Sequence, residues 1–204
     1  MRQAHLAGEC VFVDYAGQTI PWFDMASGQT KIAQVFVAVS GCSNYTFAFA
    51  SASQKLPDWI EAHNRMFKFF GGVHQSVVPD NLKSAVTKPG RELMVNRTYQ
   101  ELADHYGTVI VPSRVRKPQD KSKAELGVKW VTHWVTMPLL RRNFFSIAEI
   151  NQAIIEHLEK LNQRSFKRIP GNRLERFLEL DKPALHPLPD DPYDYGEWVA
   201  PQKV

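Results

Sequence analysis

Four short segments rich in β-branched and aromatic residues place the strongest constraint on how this chain folds. Gly17, Gly28 and Gly41 separate these segments, and we predict consecutive strands of an antiparallel meander. The next segment has Pro57 in its first turn and apolar residues at helical spacing from Trp59, which predicts a helix packed on that sheet. The predicted strands cover residues 10–15, 20–25, 32–39 and 45–50.

Strands and helices alternate after the first helix. Short apolar strands are predicted at residues 76–78 and 109–111, with a helix capped by Asn96 between them. Apolar residues from Ala124 to Val135 then step by four, three and four, as on one face of a helix. This order predicts an α/β fold, a sheet covered by helices.

The last predicted helix begins at a capping box. Ser146 and Glu149 have the spacing of that motif, and an apolar stripe continues to Leu161. We therefore assign residues 1–162 to the core and expect a basic, then acidic, proline-rich linker over residues 163–204.

Charge is distributed unevenly along the chain. The net charge is only +4, but residues 1–174 hold 22 basic and 14 acidic side chains, a net +8. A basic body with an acidic tail suits a polyanionic partner.

Cys10 and Cys42 have no His or Cys at metal-ligand spacing, so we predict reduced thiols and neither a zinc site nor a disulfide. No leader or apolar run of about 20 residues is present, so we expect a soluble intracellular protein.

Three acidic residues stand at positions that favour metal binding. Asp14 and Asp80 each end an apolar strand, and Glu125 lies near a helix start after five basic residues. Two such charges ~4 Å apart repel by about 4 kcal/mol at an effective dielectric near 20, so a shared dication would reverse the penalty. Oxygen donors suit magnesium or manganese, and two such ions support phosphodiester chemistry. Alternatively, the aspartates form turns and Glu125 pairs with Lys121 or Lys129.

Three ordered blocks carry a family resemblance. They are Val-Phe-Val-Asp-Tyr-Ala-Gly around Asp14, Val-Pro-Asp-Asn-Leu-Lys around Asp80, and Arg-Lys-Pro-Gln-Asp-Lys-Ser-Lys-Ala-Glu ending at Glu125. The chain resembles IstA-type insertion-sequence transposases over nearly its whole length. The resemblance implies a ribonuclease-H-like (retroviral integrase superfamily) mixed sheet with helices on both faces. It also implies a D-D-E site formed by Asp14, Asp80 and Glu125 with two Mg or Mn ions.

The same resemblance implies a biological setting. The expected activity is transposon-end cleavage and strand transfer, with transposon-end DNA, target DNA, an AAA+ ATPase helper and further copies of the full-length protein as partners. No membrane is expected, and the expected location is the bacterial cytoplasm, at the nucleoid during the reaction. Ser113-Arg114-Val115 departs from the family pattern. Since no helix-turn-helix precedes the core and no complete β-domain follows Trp198, we expect a fragment of a longer protein.

A basic stretch precedes Glu125 and is predicted to contact DNA phosphates. Lys121, one helical turn before Glu125, is the strongest candidate, and a solvated basic face is the alternative. Two other functions stay open: a non-catalytic DNA-binding or assembly scaffold, and a stand-alone nuclease of the same fold. The predicted DNA-binding residues are Lys83, Arg114, Arg116, Lys117, Lys121 and Lys123.

Overall fold

The computed structural model describes residues 5–79, 97–111, 118–167 and 169–196, and it does not describe the side chains of residues 118–122. Within these ranges six strands form one sheet in the order β4, β3, β1, β5, β6, and β2 pairs with the first half of β3. Strand β3 is antiparallel to β1, β2 and β4, whereas β1, β5 and β6 run parallel. The strands are β1 (Cys10–Tyr15), β2 (Ile20–Asp24), β3 (Gln29–Ser40), β4 (Thr46–Ser51), β5 (Ser76–Pro79) and β6 (Val109–Ile110).

The first three strands do not form the predicted meander. Strands β1 and β2 lie end to end along β3, with β2 paired to residues 29–33 and β1 to residues 36–40. This arrangement needs β3 to be twelve residues long. Gln29, Thr30 and Lys31 are exposed and polar, so they lack the apolar signal that marks the predicted part of the strand, residues 32–39.

Helices cover both faces of the sheet, as predicted. Their ends follow local capping rules: Gly71, with φ 62°, ends the first helix, and the Ser146 side chain accepts a hydrogen bond from Glu149 N at the start of the fifth. A π-helical turn, Thr132–Thr136, joins the third helix to the fourth. The helices are α1 (Leu56–Phe70), α2 (Arg97–Tyr106), α3 (Pro118–Val131), α4 (Met137–Leu139), α5 (Ile147–Gln163) and α6 (Arg173–Arg176).

Each face of the sheet has its own hydrophobic cluster. Val11, Val13 and Phe36 lie on one face, against aromatic residues of α1 and α2. On the other face, Val37 and Val39 belong to the cluster that contains the buried residues of α5. Because side chains alternate along a strand, these cluster memberships show which of the two faces each residue of β1 and β3 occupies.

Residues 173–195, the C-terminal strap, differ from the extended linker predicted there. Helix α6, a π-helical turn (Phe177–Asp181) and a 3-10 turn (Lys182–Ala184) follow one another and pack on the core. The Phe177 ring stacks on Tyr45 at 4.4 Å between centroids and lies 5.7 Å from Phe70. Strap residue His186 also exchanges two backbone hydrogen bonds with Val73. The strap is therefore part of the folded body.

Asn172 and Glu175 form a capping box at the start of α6, the first element of the strap, and this box is a sequence signal that the linker prediction overlooked. None of the helices in the described ranges is both long and apolar enough to cross a membrane.

Candidate active site

Asp14 lies near the end of the central strand β1, on the face covered by α3. Its neighbour Val13 packs in the cluster with α1, whereas Phe12 packs with Ala124 of α3. Alternation then directs Asp14 to the same side as Phe12. Its cross-strand partner Val37 belongs to the cluster on that side, which agrees with this assignment. Asp14 is half-buried, and its Oδ1 accepts a hydrogen bond from Tyr15 N at 2.8 Å.

Helix α3 brings Glu125 to the same face of the sheet. Ala124 is buried against Cys10, Phe12 and Val78, so this part of α3 crosses β1 and β5. Glu125, the next residue, is exposed. An exposed carboxylate beside the sheet-facing side of a helix can reach a ligand at the surface without being buried alone.

The second predicted acid, Asp80, lies outside the described residues. Its predecessor Pro79 is the last described residue of β5 and pairs in parallel with Val13 of β1. The two described strand ends that precede the predicted aspartates are thus adjacent. The predicted DNA contacts Lys83, Arg114, Arg116 and Lys117 also lie outside the described residues, as does the Lys121 side chain.

Lys123 faces the protein. Its ammonium group donates hydrogen bonds to Gly41 O at 2.6 Å and to Asn44 Oδ1 at 2.8 Å. Burial lowers the pKa of the Lys123 ammonium from its usual range. Lys123 therefore fastens α3 to the turn between β3 and β4, a role that differs from the DNA contact predicted for it.

A buried carboxylate in the strap is an important residue that the sequence did not reveal. Asp181 is fully buried, and its oxygens accept hydrogen bonds from Gly8 N at 2.9 Å, Ser43 N at 3.0 Å and Ser40 Oγ at 2.6 Å. Burial raises the pKa of the Asp181 carboxyl, but these hydrogen bonds outweigh it and hold the pKa below its ordinary value. The carboxylate links the strap to β3 and to the turn before β1.

Ser40 also contacts His74, whose Nε2 lies 3.1 Å from Ser40 Oγ. Serine, histidine and aspartate in contact resemble a nucleophilic triad. However, Ser40, His74 and Asp181 each have 0% exposure, so no substrate reaches them. Burial also lowers the pKa of His74 to about 4, which keeps the ring neutral. The cluster is a structural clasp.

A second group of polar side chains meets before β1. His5 Nδ1 lies 3.4 Å from Cys10 Sγ and 3.8 Å from Glu9 Oε2, a proximity that the sequence analysis did not anticipate for Cys10. Glu9 Oε2 also accepts a hydrogen bond from Leu6 N at 2.7 Å. Within the described ranges these contacts close the turn that leads into β1. Mixed nitrogen, oxygen and sulfur donors differ from the all-oxygen set expected at Asp14.

Solved structures share this arrangement of strands and helices. The simian T-cell lymphotropic virus intasome in complex with PP2A regulatory subunit B56 gamma matches 97% of the chain and 63% of its own chain, with a TM-score of 0.65 and 12% identity. The catalytic core domain of HTLV-2 integrase in complex with magnesium matches 86% of the chain and 99% of its own, with a TM-score of 0.59 and 14% identity. The chain therefore has the α/β, ribonuclease-H-like fold of retroviral integrase catalytic cores.

Comparison of amino-acid sequences identifies more similar relatives than comparison of folds does. The chain matches the model of the integrase core domain family over residues 18–118, just under half of its length. It is 49% identical to a Pseudomonas fluorescens protein named as a predicted transposase for insertion sequence IS1162, over 95% of the chain and 35% of that protein. It is 30% identical to the Pseudomonas aeruginosa transposase for insertion sequence element IS21, over 82% of the chain and 43% of that protein. The chain thus spans less than half the length of these relatives.

Proposed function

We propose that this chain is the catalytic domain of a DNA transposase, in which Asp14, Asp80 and Glu125 hold two magnesium or manganese ions. The observation that carries the proposal is the parallel pairing of Val13 with Pro79. Each residue is followed by an aspartate, and adjacent strands lie about 4.8 Å apart. Continuing this register by one residue would make Asp80 the neighbour of Asp14 on the α3 face.

The geometry of α3 supports Glu125 as the third ligand. Successive residues of a helix are rotated by about 100°, so Lys123 and Glu125 project to opposite flanks of the buried Ala124. Lys123 reaches toward Gly41, and Gly41 N donates a hydrogen bond to Cys10 O at the start of β1. The opposite flank, with Glu125, therefore faces the end of β1 that carries Asp14.

The residues fit divalent cations chemically. Three carboxylates supply hard oxygen donors, and the hydrogen bond from Tyr15 N fixes the orientation of the Asp14 carboxylate. When bound, two divalent ions activate an attacking hydroxyl and stabilise the leaving oxygen of a phosphodiester. The chain's own contribution is to hold the carboxylates at one end of a rigid sheet, with Glu125 on a helix fastened by Lys123 and Ala124.

The partners follow from the same proposal. Transposon-end DNA and target DNA would lie against the basic segment that contains Arg114, Arg116, Lys117 and Lys121, with Lys83 near the second aspartate. In the longer protein we propose further copies of the same chain and an AAA+ ATPase helper as partners, in the bacterial cytoplasm and at the nucleoid. The names of the insertion-sequence relatives support this setting.

Strand transfer tests the proposal. We would measure joining of the element's terminal DNA, taken from the sequence that flanks the gene, into a plasmid with Mg²⁺ or Mn²⁺. In the full-length protein, Asp14→Asn, Asp80→Asn and Glu125→Gln should each reduce joining by about a thousandfold or more while DNA binding persists. Glu156→Gln, at an exposed position of α5, is the matched control. Normal joining by any of the three variants would remove that residue from the site. Hydrolysis without joining would indicate a nuclease, and metal-independent behaviour would indicate a scaffold.

A further inference from the structure

We infer that Gly127 is a positioning residue: its missing side chain allows α3 to lie directly on β3, and this close approach sets the position of Glu125. The inference rests on the proposed function, because it concerns the third acid of the same site. Glycine is less favourable than alanine inside a helix, so a glycine here calls for a reason.

The reason is a close contact with Val39. A Cβ atom built on Gly127 would lie 2.1 Å from Val39 Cγ2 and 3.3 Å from Val39 Cβ, with Val37 Cγ1 at 3.9 Å. The φ of Gly127 is outside the left-handed range, so the backbone itself would accept an L-residue. The requirement for glycine at this position is therefore steric and comes from another element of the fold.

Strand β3 cannot retreat from an added methyl group. Val39 has no exposed surface and pairs with Phe12 of β1 on one side and Thr46 of β4 on the other. Moving it would break the ladder of two neighbouring strands. Helix α3 would have to move instead, and a separation of 2.1 Å is more than 1 Å below an ordinary contact.

This movement would act on the proposed site. Gly127 is two residues after Glu125, and Val37, which the new Cβ would also approach, is the cross-strand partner of Asp14. Lys123 and Ala124 fasten the preceding turn of the helix, so the displaced segment would tilt about them. A misplacement of about 1 Å in a reacting group can reduce a rate by about 100-fold.

The test combines Gly127→Ala with a compensating change. We would measure joining of element-end DNA and, separately, the Mn²⁺ concentration that gives half of the maximal Mn²⁺-induced rise in Tm, with circular dichroism to verify folding. Gly127→Ala should lower joining by about 100-fold and raise the half-maximal Mn²⁺ concentration. Val39→Ala removes the atom at 2.1 Å, so Val39→Ala/Gly127→Ala should recover much of both losses. Leu126→Ala, at an exposed neighbouring position, should behave as wild type.

Each outcome decides the inference. A folded Gly127→Ala with unchanged Mn²⁺ response and joining contradicts it, as does a loss that Val39→Ala does not repair. If Gly127→Ala does not fold, Val39→Ala is compared with the double variant: the remaining 3.3 Å contact predicts a smaller rise in Mn²⁺ requirement, and equal values contradict the inference. Normal joining by Glu125→Gln removes Glu125 from the proposed site and so overturns the role on which the inference rests. An inactive Glu125→Gln beside a normal Gly127→Ala overturns only the positioning role.

Discussion

The carboxylate of Asp181 accepts a hydrogen bond from the backbone of Gly8 at 2.9 Å, so the strap is tied to the turn that precedes the central strand. Asp181→Asn would replace one acceptor oxygen by an amide group that faces existing donors. We expect a loss of about 2–4 kcal/mol in the free energy of unfolding, measured by urea denaturation, because buried donors lose a charged acceptor. Asp190→Asn, at an exposed strap position, should leave the stability unchanged. Equal stabilities of the two variants would contradict the clasp.

Stability should fall as the pH is lowered from 6.5 toward 4. Burial lowers the pKa of both His63 and His74 to about 4, whereas an unfolded histidine titrates near 6.5. In this window the unfolded chain binds more protons than the folded one, so each histidine adds up to about 1.4 kcal/mol per pH unit to the slope. The lowered pKa of Asp181 adds a further loss of stability below its unfolded pKa near 3.9.

Urea denaturation at a series of pH values measures this slope. His74→Gln should reduce it, and His133→Gln, at an exposed position, should not. The same slope in both variants would mean that buried His74 does not resist protonation.

Lys123→Met should lower the stability of the fold without removing a contact between the protein and a DNA phosphate. The variant loses hydrogen bonds to Gly41 O and Asn44 Oδ1, so we expect a loss of about 1–3 kcal/mol in the free energy of unfolding. The dependence of DNA affinity on salt should keep its slope, whereas Lys117→Ala should lower the slope by about one. A lower slope of DNA affinity against salt for Lys123→Met would support the DNA contact predicted for Lys123 from the sequence.

Gly72→Ala should destabilise the protein through the strap. A Cβ at this position would lie 2.7 Å from Leu185 Cβ and 3.0 Å from His186 O, and a main-chain neighbour cannot yield as a flexible side chain does. We expect a loss of about 1–3 kcal/mol, measured as a lower urea midpoint. Gly17→Ala is the matched control, because no atom lies within 4 Å of its added Cβ. A neutral Gly72→Ala would show that the strap separates easily from the core.

Removing the strap tests the expected domain boundary at residue 162. A chain ending at residue 172 lacks Phe177, which covers Tyr45 and Phe70, and it leaves Gly8 N and Ser43 N without their carboxylate acceptor. We expect loss of cooperative unfolding or aggregation, relative to a chain ending at residue 196. A shortened chain with an unchanged urea midpoint would support a linker beginning at residue 163.

Local patterns predicted most of the core and little of the strap. A run of apolar residues identifies β1, helical periodicity identifies α1 and α5 because each helix buries one continuous side, and the Ser146 cap depends only on neighbouring residues. The strap is held by contacts between distant segments, such as Asp181 with Gly8, which no local pattern contains. The first residues of β3 escaped prediction because they are exposed.

The candidate site, too, was only partly predictable from the sequence. The position of Asp14 at the end of an apolar strand and the family resemblance identify it, and the structure places it on the face crossed by the helix that carries Glu125. The meeting of Asp14, Asp80 and Glu125 stays a prediction. The roles of Lys123 and Gly127 depend on Gly41 and Val39, which lie more than 80 residues away along the chain, so their neighbours emerge only on folding.

Because β1 pairs in parallel with β5, residues that are far apart along the chain lie close together in the folded protein. Sixty-five residues lie between Asp14 and Asp80, yet Val13 and Pro79 sit side by side. Turns within the intervening segment, such as that at Gly28, can therefore gain or lose residues during evolution while the two strand ends keep their separation. If these strand ends carry the proposed metal ligands, homologues with very different intervals between the first two acids can keep the same site.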